Sequence, residues 1–181
     1  MRLPDKGLVD RDHVLNFQFN DRPFKGFSGD TLASALLAND EILVGRSFKY
    51  HRPRGIMTAG SEEPNALVTV SRGQSNEPNT RATVQLLYEG LVAQPQNAWP
   101  SLKFDALGIN DYLSNFLAAG FYYKTFMWPQ PFWEWLYEPL IRRAAGLGTL
   151  DMAYDHDLYE KAYAHCDVLI IGAGPSGLMA A

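Results

Sequence analysis

Asp167-Val168-Leu169-Ile170-Ile171-Gly172-Ala173-Gly174-Pro175-Ser176-Gly177 is the stretch on which the reading of this chain turns. Val168 to Ile171 is a continuous apolar run, the pattern of a parallel strand buried on both faces. The glycines follow at once with GxGxxG spacing, and Leu178-Met179-Ala180-Ala181 begins a helix. In that context Gly172 permits the tight turn, Gly174 lets the backbone approach a pyrophosphate, and Gly177 lets strand and helix pack closely. The helix N-terminus then favours phosphate charge. Gly172, Gly174 and Gly177 are the candidate cofactor-binding residues; a glycine-rich turn without a ligand is the alternative. The acidic residue for the ribose falls about 20 residues further on, past Ala181. Residues 165–181 are therefore expected to be the first β–α unit of a cut-off Rossmann-type, dinucleotide-binding domain. By itself the chain is expected to bind a dinucleotide poorly.

The remaining 164 residues belong to an ordinary globular composition, 46% hydrophobic and 20% charged among 181 residues in all. A net charge of -4 gives no electrostatic reason for a nucleic acid or an anionic membrane as partner. No apolar run of about 18 residues suggests a membrane span. Met1 to Arg11 is charged and lacks the apolar core of a signal peptide. The single cysteine, Cys166, leaves no internal disulfide, and a buried structural role is expected for it. Together these features point to a cytoplasmic protein. His13, His51, His156 and His165 are dispersed without metal spacing, so no zinc site is expected.

From the N-terminus, residues 13–27 alternate apolar and polar around the turn Asn20-Asp21-Arg22-Pro23, a β-hairpin signal. Asp30 or Thr31 caps a helix whose apolar face is Leu32, Ala33, Ala35, Leu36 and Leu37, ending near Asn39-Asp40. Residues 46–66 read as an extended loop, Leu67 to Val70 as a strand, residues 73–79 as a loop, and residues 81–87 as a second strand. Residues 93–107 are turn-rich. Residues 111–148 read as helical in two pieces, broken at Trp128-Pro129-Gln130-Pro131. The second piece, Phe132 to Ala145, is ended by Gly146 and Gly148. The fold class is α+β. A β-grasp, ferredoxin-like module at 1–92 precedes a helical, aromatic connecting region at 93–164 and the dinucleotide-binding start at 165–181.

Plant-type ferredoxins of this architecture hold a [2Fe–2S] cluster by C-x4-C-x2-C before a strand. Set against Leu67 to Val70, those places fall on Thr58, Glu63 and Ala66. None is a cysteine, so no iron–sulfur cluster is expected. His51 stands in a cationic loop with Arg46, Lys49, Arg52 and Arg54. This loop reads either as an anion site for a flavin or NAD phosphate, or as an exposed or contact-making basic loop. The aromatic stretch 126–137 is either a ligand-stacking surface or an interface with other parts of a larger assembly.

The chain closely resembles the N-terminal region of the α subunit of heterotetrameric sarcosine oxidase. The resemblance is carried by Gly29 to Leu37, Arg46 to Gly55, Gln96 to Leu102, Ala119 to Phe126 and Tyr137 to Gly146. It implies part of a flavin-dependent amine oxidase that demethylates sarcosine to glycine. Hydrogen peroxide is the product, and the one-carbon unit passes to tetrahydrofolate. It implies NAD on the α subunit, FMN at the α–β interface, FAD on β, and tetrahydrofolate in a C-terminal region absent from this chain. The implied partners are the β, γ and δ subunits and the remainder of α. No catalytic residue and no metal ligand is expected here, and the chain alone should be an inactive scaffold. The alternatives are a subunit-docking module of another secondary-amine or opine-type flavin oxidoreductase, or an independent electron-transfer protein.

Overall fold

The protein is described by a computed structural model covering residues 2–3, 6–115, 117, 119–124, 126–154 and 158–181. His156 and residues 116, 118 and 125 of the expected helical region lie outside the described residues. The hairpin forms as expected. Strand β1 (Asp10–Phe19) pairs with β2 (Arg22–Ser28), Phe17 standing opposite Phe24. Asn20 and Asp21 between them have φ of 51° and 60°. Two positive φ values in a two-residue loop match the right-handed twist of the flanking strands, and Asn and Asp tolerate that conformation best after glycine.

Helix α1 (Leu32–Ala38) starts at Thr31, whose side chain accepts from the Ser34 amide while Ser34 Oγ accepts from the Thr31 amide. Asp30 does other work. It is buried, receives both Arg2 Nη groups at 2.9 and 2.7 Å, and accepts from the Phe27 amide. Leu32, Ala33, Ala35 and Leu36 form the buried face of α1.

Five strands make the main sheet, in the order β2-β1-β7-β5-β6, with β5 (Leu67–Arg72), β6 (Ser75–Arg81) and β7 (Leu91–Pro95). β7 runs parallel to β1 and antiparallel to β5. A small separate pair joins β3 (Gly45–Arg46) to β4 (Pro53–Arg54). The core lies between the sheet and α1: Phe17, Phe19 and Val68 meet Leu32, Leu36 and Leu91 in one buried cluster. Full burial of each such side chain stabilises by about 1.5–3 kcal/mol.

Two expectations along the sheet change. Residues 73–79, read as a loop, are mostly strand β6. Ser-Asn-Glu-Pro-Asn-Thr-Arg carries no apolar alternation because an edge strand with both faces wet needs none, and an edge also tolerates Pro78. Of residues 81–87, read as a strand, Arg81 ends β6, and residues 82–87 instead form turns against α1. The Gln85 and Ala82 carbonyls accept from the Leu32 and Ala33 amides, satisfying first-turn donors that a helix leaves open. Val84 and Leu86 accordingly point outward.

The connecting region is less helical than its pattern suggests. It holds a 3-10 turn at Ala106–Asp111, a short α2 (Phe121–Lys124), a π-type turn at Trp133–Tyr137 and α3 (Glu138–Ala145). Gly146 ends α3 with φ 78°, as expected of a left-handed cap. Asp167 to Ile171 is not a strand, and Val168, Leu169 and Ile171 are exposed. A parallel strand exists only through its neighbours' hydrogen bonds, and no neighbouring strand pairs with it among the described residues. No helix of the described residues is long and apolar enough to cross a membrane.

Candidate functional site

The glycine motif does form its turn. Gly172 has φ 108°, which only glycine adopts freely, and Gly174 stands at the N-terminal cap of α4 (Pro175–Ala180). A Cβ on Gly177 would collide with the Gly172 carbonyl, so the start of the turn and the first turn of α4 pack backbone to backbone. The three candidate residues are thus brought together. The turn is solvent-facing. Cys166, expected to be buried, is exposed, since the strand that would carry it inward is unpaired.

The loop before β5 is organised around one carboxylate. Glu63 is buried, and its Oε2 accepts from the Met57 amide at 2.9 Å, the Thr58 amide at 2.6 Å and Thr58 Oγ at 3.1 Å. Its Oε1 accepts from the Asn65 amide at 2.9 Å. Burial pushes the Glu63 pKa up, but the amides of Thr58, Asn65 and Met57 together outweigh it and hold the group below its ordinary value. Thr58 and Glu63, two of the three expected ligand places, are therefore hydrogen-bonded to each other. Ala66, the third, is a core residue.

The basic loop is a fastener. The side chains of His51 and Asp105 are both fully buried and meet at 2.6 Å through His51 Nδ1. Asp105 Oδ1 also accepts from the Trp99 and Leu107 amides. The other ring nitrogen, His51 Nε2, is buried and has no hydrogen-bond partner among the described residues. Arg46 donates to the Leu102 and Lys103 carbonyls, and Arg52 pairs with Asp111. Three of the loop's basic residues thus tie residues 99–111 to the sheet module. Arg54 lies on β4. Lys49 has no carboxylate partner among the described residues; its ammonium stands over the rings of Tyr50 and Phe121, at 4.7 and 5.6 Å from their centroids. Sequence reading missed Asp105, 54 positions from His51, because no local pattern links an Asp in a turn to a distant buried base.

Beside this fastening lies a cavity of about 650 Å³. Its walls come from Phe48 and Lys49, residues 96–99 just after β7, Leu107, Asn110, Leu117, Phe121, Phe126, Tyr137 and α3. Phe48, Phe121, Phe126 and Tyr137 form a chain of ring contacts with centroid separations of 6.4, 5.8 and 5.1 Å. The aromatic stretch 126–137 is open to solvent elsewhere, with Trp128 82% and Trp135 63% exposed. Among the described residues no three His, Cys, Asp or Glu side chains gather as a metal site.

Residues 12–98 match the family model described as "2Fe-2S iron-sulfur cluster binding domain". That description overturns the expectation of no iron–sulfur cluster. The expectation tested one ligation mode only, thiolates at one spacing, whereas histidine also ligates such centres. The thiolate mode itself does not fit residues 12–98, which contain no cysteine. The chain is 69% identical over 180 residues to Sarcosine oxidase subunit alpha of Rhizobium meliloti (strain 1021), covering 99% of this chain and 18% of that protein. It is 34% identical over 176 residues to Sarcosine oxidase subunit alpha of Corynebacterium sp. (strain U-96), covering 96% and 13%. The chain thus spans less than a fifth of the length of these curated relatives. A solved structure, L-proline dehydrogenase from P. horikoshii, aligns with TM-score 0.40 at 24% identity over 51% of this chain and 17% of its own. Across nearly its whole length, this chain is a relative of the sarcosine oxidase α subunits, and it carries a 2Fe-2S ferredoxin-like domain within a mixed α/β fold.

Proposed function

We propose that the chain serves as a scaffolding part of an α subunit in a flavin-dependent sarcosine oxidase built from α, β, γ and δ subunits. The observation that carries this reading is the 69% identity across 180 residues. In the proposed reaction the N-methyl carbon of sarcosine is oxidised by two electrons and oxygen is reduced to hydrogen peroxide. Water then adds to the resulting imine and releases formaldehyde, or the imine carbon passes to tetrahydrofolate, and glycine remains. The chain's own residues bind and position other parts; none is assigned to the chemistry.

Within this reading residues 1–92 are the start of a β-grasp module, completed by β7 through Pro95. The sheet order, with parallel β1 and β7 at its centre and α1 against one face, supports that class. Residues up to 164 connect, and 165–181 begin a dinucleotide-binding domain in which Gly172, Gly174 and Gly177 approach the phosphates. The Gly172–Gly177 backbone contact supports that role, since it is the packing the motif requires. The single cysteine suits a cytoplasmic setting.

The test is an assay of the complete multi-subunit enzyme containing this chain. Sarcosine should yield glycine and peroxide in equal amounts, and the 181-residue chain alone should yield neither. Peroxide from other secondary amines but none from sarcosine would transfer the chain to a different amine oxidase.

A further inference from the structure

The cavity beside α3 is built, and the groups that line it are unequal in charge. Its roof is α3, and the far end of α3 is anchored. Gln96 Nε2 donates to the Gly146 carbonyl at 2.7 Å, and the Gly148 amide donates to Asn79 Oδ1 at 2.9 Å. One wall is Phe121, Phe126 and Tyr137, rings already in contact with one another. Among the described residues no carboxylate lines the cavity, while Lys49 and Arg143 both do. Three acids on the surrounding segments are engaged elsewhere: Asp105 by His51, Asp111 by Arg52 and Glu138 by Arg142. Arg143 has no ion pair or side-chain hydrogen bond among the described residues, and Lys49 has only its ring contacts. A concave, ring-lined space of several hundred Å³ with a few convergent polar groups is the usual form of a small-molecule site. Two cations without acids, one of them already over a ring, fit an anion attached to an aromatic system.

We infer that this cavity binds a planar aromatic ligand bearing one anionic group, its rings against Phe121, Phe126 and Tyr137 and its anion on Lys49 and Arg143. This goes beyond the sarcosine oxidase reading and does not depend on it.

A matched pair of probes tests it: 8-anilinonaphthalene-1-sulfonate, and N-phenyl-1-naphthylamine, which has the same rings without the sulfonate. Fluorescence titration of the chain should give one sulfonate-probe site per molecule, about tenfold tighter than the neutral probe. Lys49→Ala with Arg143→Ala should weaken the sulfonate probe about tenfold and leave the neutral probe and the melting temperature unchanged. Ala144→Trp, which fills the cavity from α3, should abolish both signals; a lowered melting temperature in that variant shifts the location test to Ile141→Trp. Equal affinity for the two probes would mean an apolar surface that other polypeptide covers, and would overturn the inference. So would sulfonate binding that ignores the cation replacements or persists when the cavity is filled. The same titration on the complete multi-subunit enzyme must retain the single site, and its loss there also overturns the inference.

Discussion

Glu63 and His51 show how a single buried polar residue can define a segment with little regular structure. Each is nearly sealed from solvent, and each is held by groups whose own polarity would otherwise be unsatisfied. Burying a polar group without a partner costs about 1–3 kcal/mol, which exceeds the net gain from an average hydrogen bond. His51 also occupies a left-handed backbone conformation at φ 52°, which histidine tolerates better than most residues but at some cost. His51→Ala strips Asp105 of its closest partner, and urea unfolding should report a loss of about 3 kcal/mol. Asp105→Ala should cost a similar amount, and the double variant should cost much less than the sum, since each single change strands the same contact. Strict additivity would mean that the two side chains do not act as a pair. The residue scale is where sequence reading was weakest. The cationic loop was legible from Arg46 to Arg54, but its partners were not. Asp105 and Asp111 lie more than 50 positions away, and only the folded chain brings them near.

At the scale of elements, local signals succeeded where one stretch decides its own conformation. The β1–β2 hairpin, the Thr31 cap and the Gly146 cap all depend on neighbours within a few positions. They failed where an element is defined by what lies beside it. β6 is polar because it is an edge, and residues 82–87 abandon strand geometry because their carbonyls meet the open amides of α1. The Gly146 cap offers a test of how α3 is held. An alanine there would be strained at φ 78°, and its Cβ would strike Asn97, whose side chain bridges the Arg46 amide and carbonyl. Gly146→Ala should lower unfolding stability by about 1–3 kcal/mol. Gly108→Ala makes the internal control. Gly108 has an ordinary φ and nothing within 4 Å of a Cβ, so its replacement should be close to neutral. Equal effects at both sites would mean that the contact with Asn97 is not tight.

At the scale of the molecule, acid should be the condition that loosens the fold. Asp30 and Glu63 both titrate below their ordinary values of 3.8 and 4.5. For each, burial opposes the shift. The Arg2 guanidinium, Ser34 and the Phe27 amide overcome it at Asp30, and the surrounding loop amides do so at Glu63. A carboxyl whose folded pKa is depressed binds fewer protons folded than unfolded. Its contribution is therefore complete above the ordinary value and is lost as pH falls through the folded one. Unfolding stability should be flat near neutrality and decline below about pH 5. The decline should be shallower in Glu63→Gln, which has no charge to lose. An unchanged pH profile in that variant would remove Glu63 from the account.

Sequence alone determined the caps, the first hairpin, the glycine turn and the relationship to sarcosine oxidase α subunits. These depend on residue types at short spacing or on identity along the chain, and neither needs a third dimension. Tertiary structure alone decided that the basic loop fastens the connecting segment, that Glu63 gathers the amides before β5, and that a cavity forms beneath α3. It also decided that Val168 to Ile171 stays unpaired here. A parallel strand needs neighbours to share its hydrogen bonds, whereas the glycine turn that follows it needs only its own backbone. The motif on which the reading began therefore keeps its local shape, while the sheet that would give it a function is not formed by the described residues.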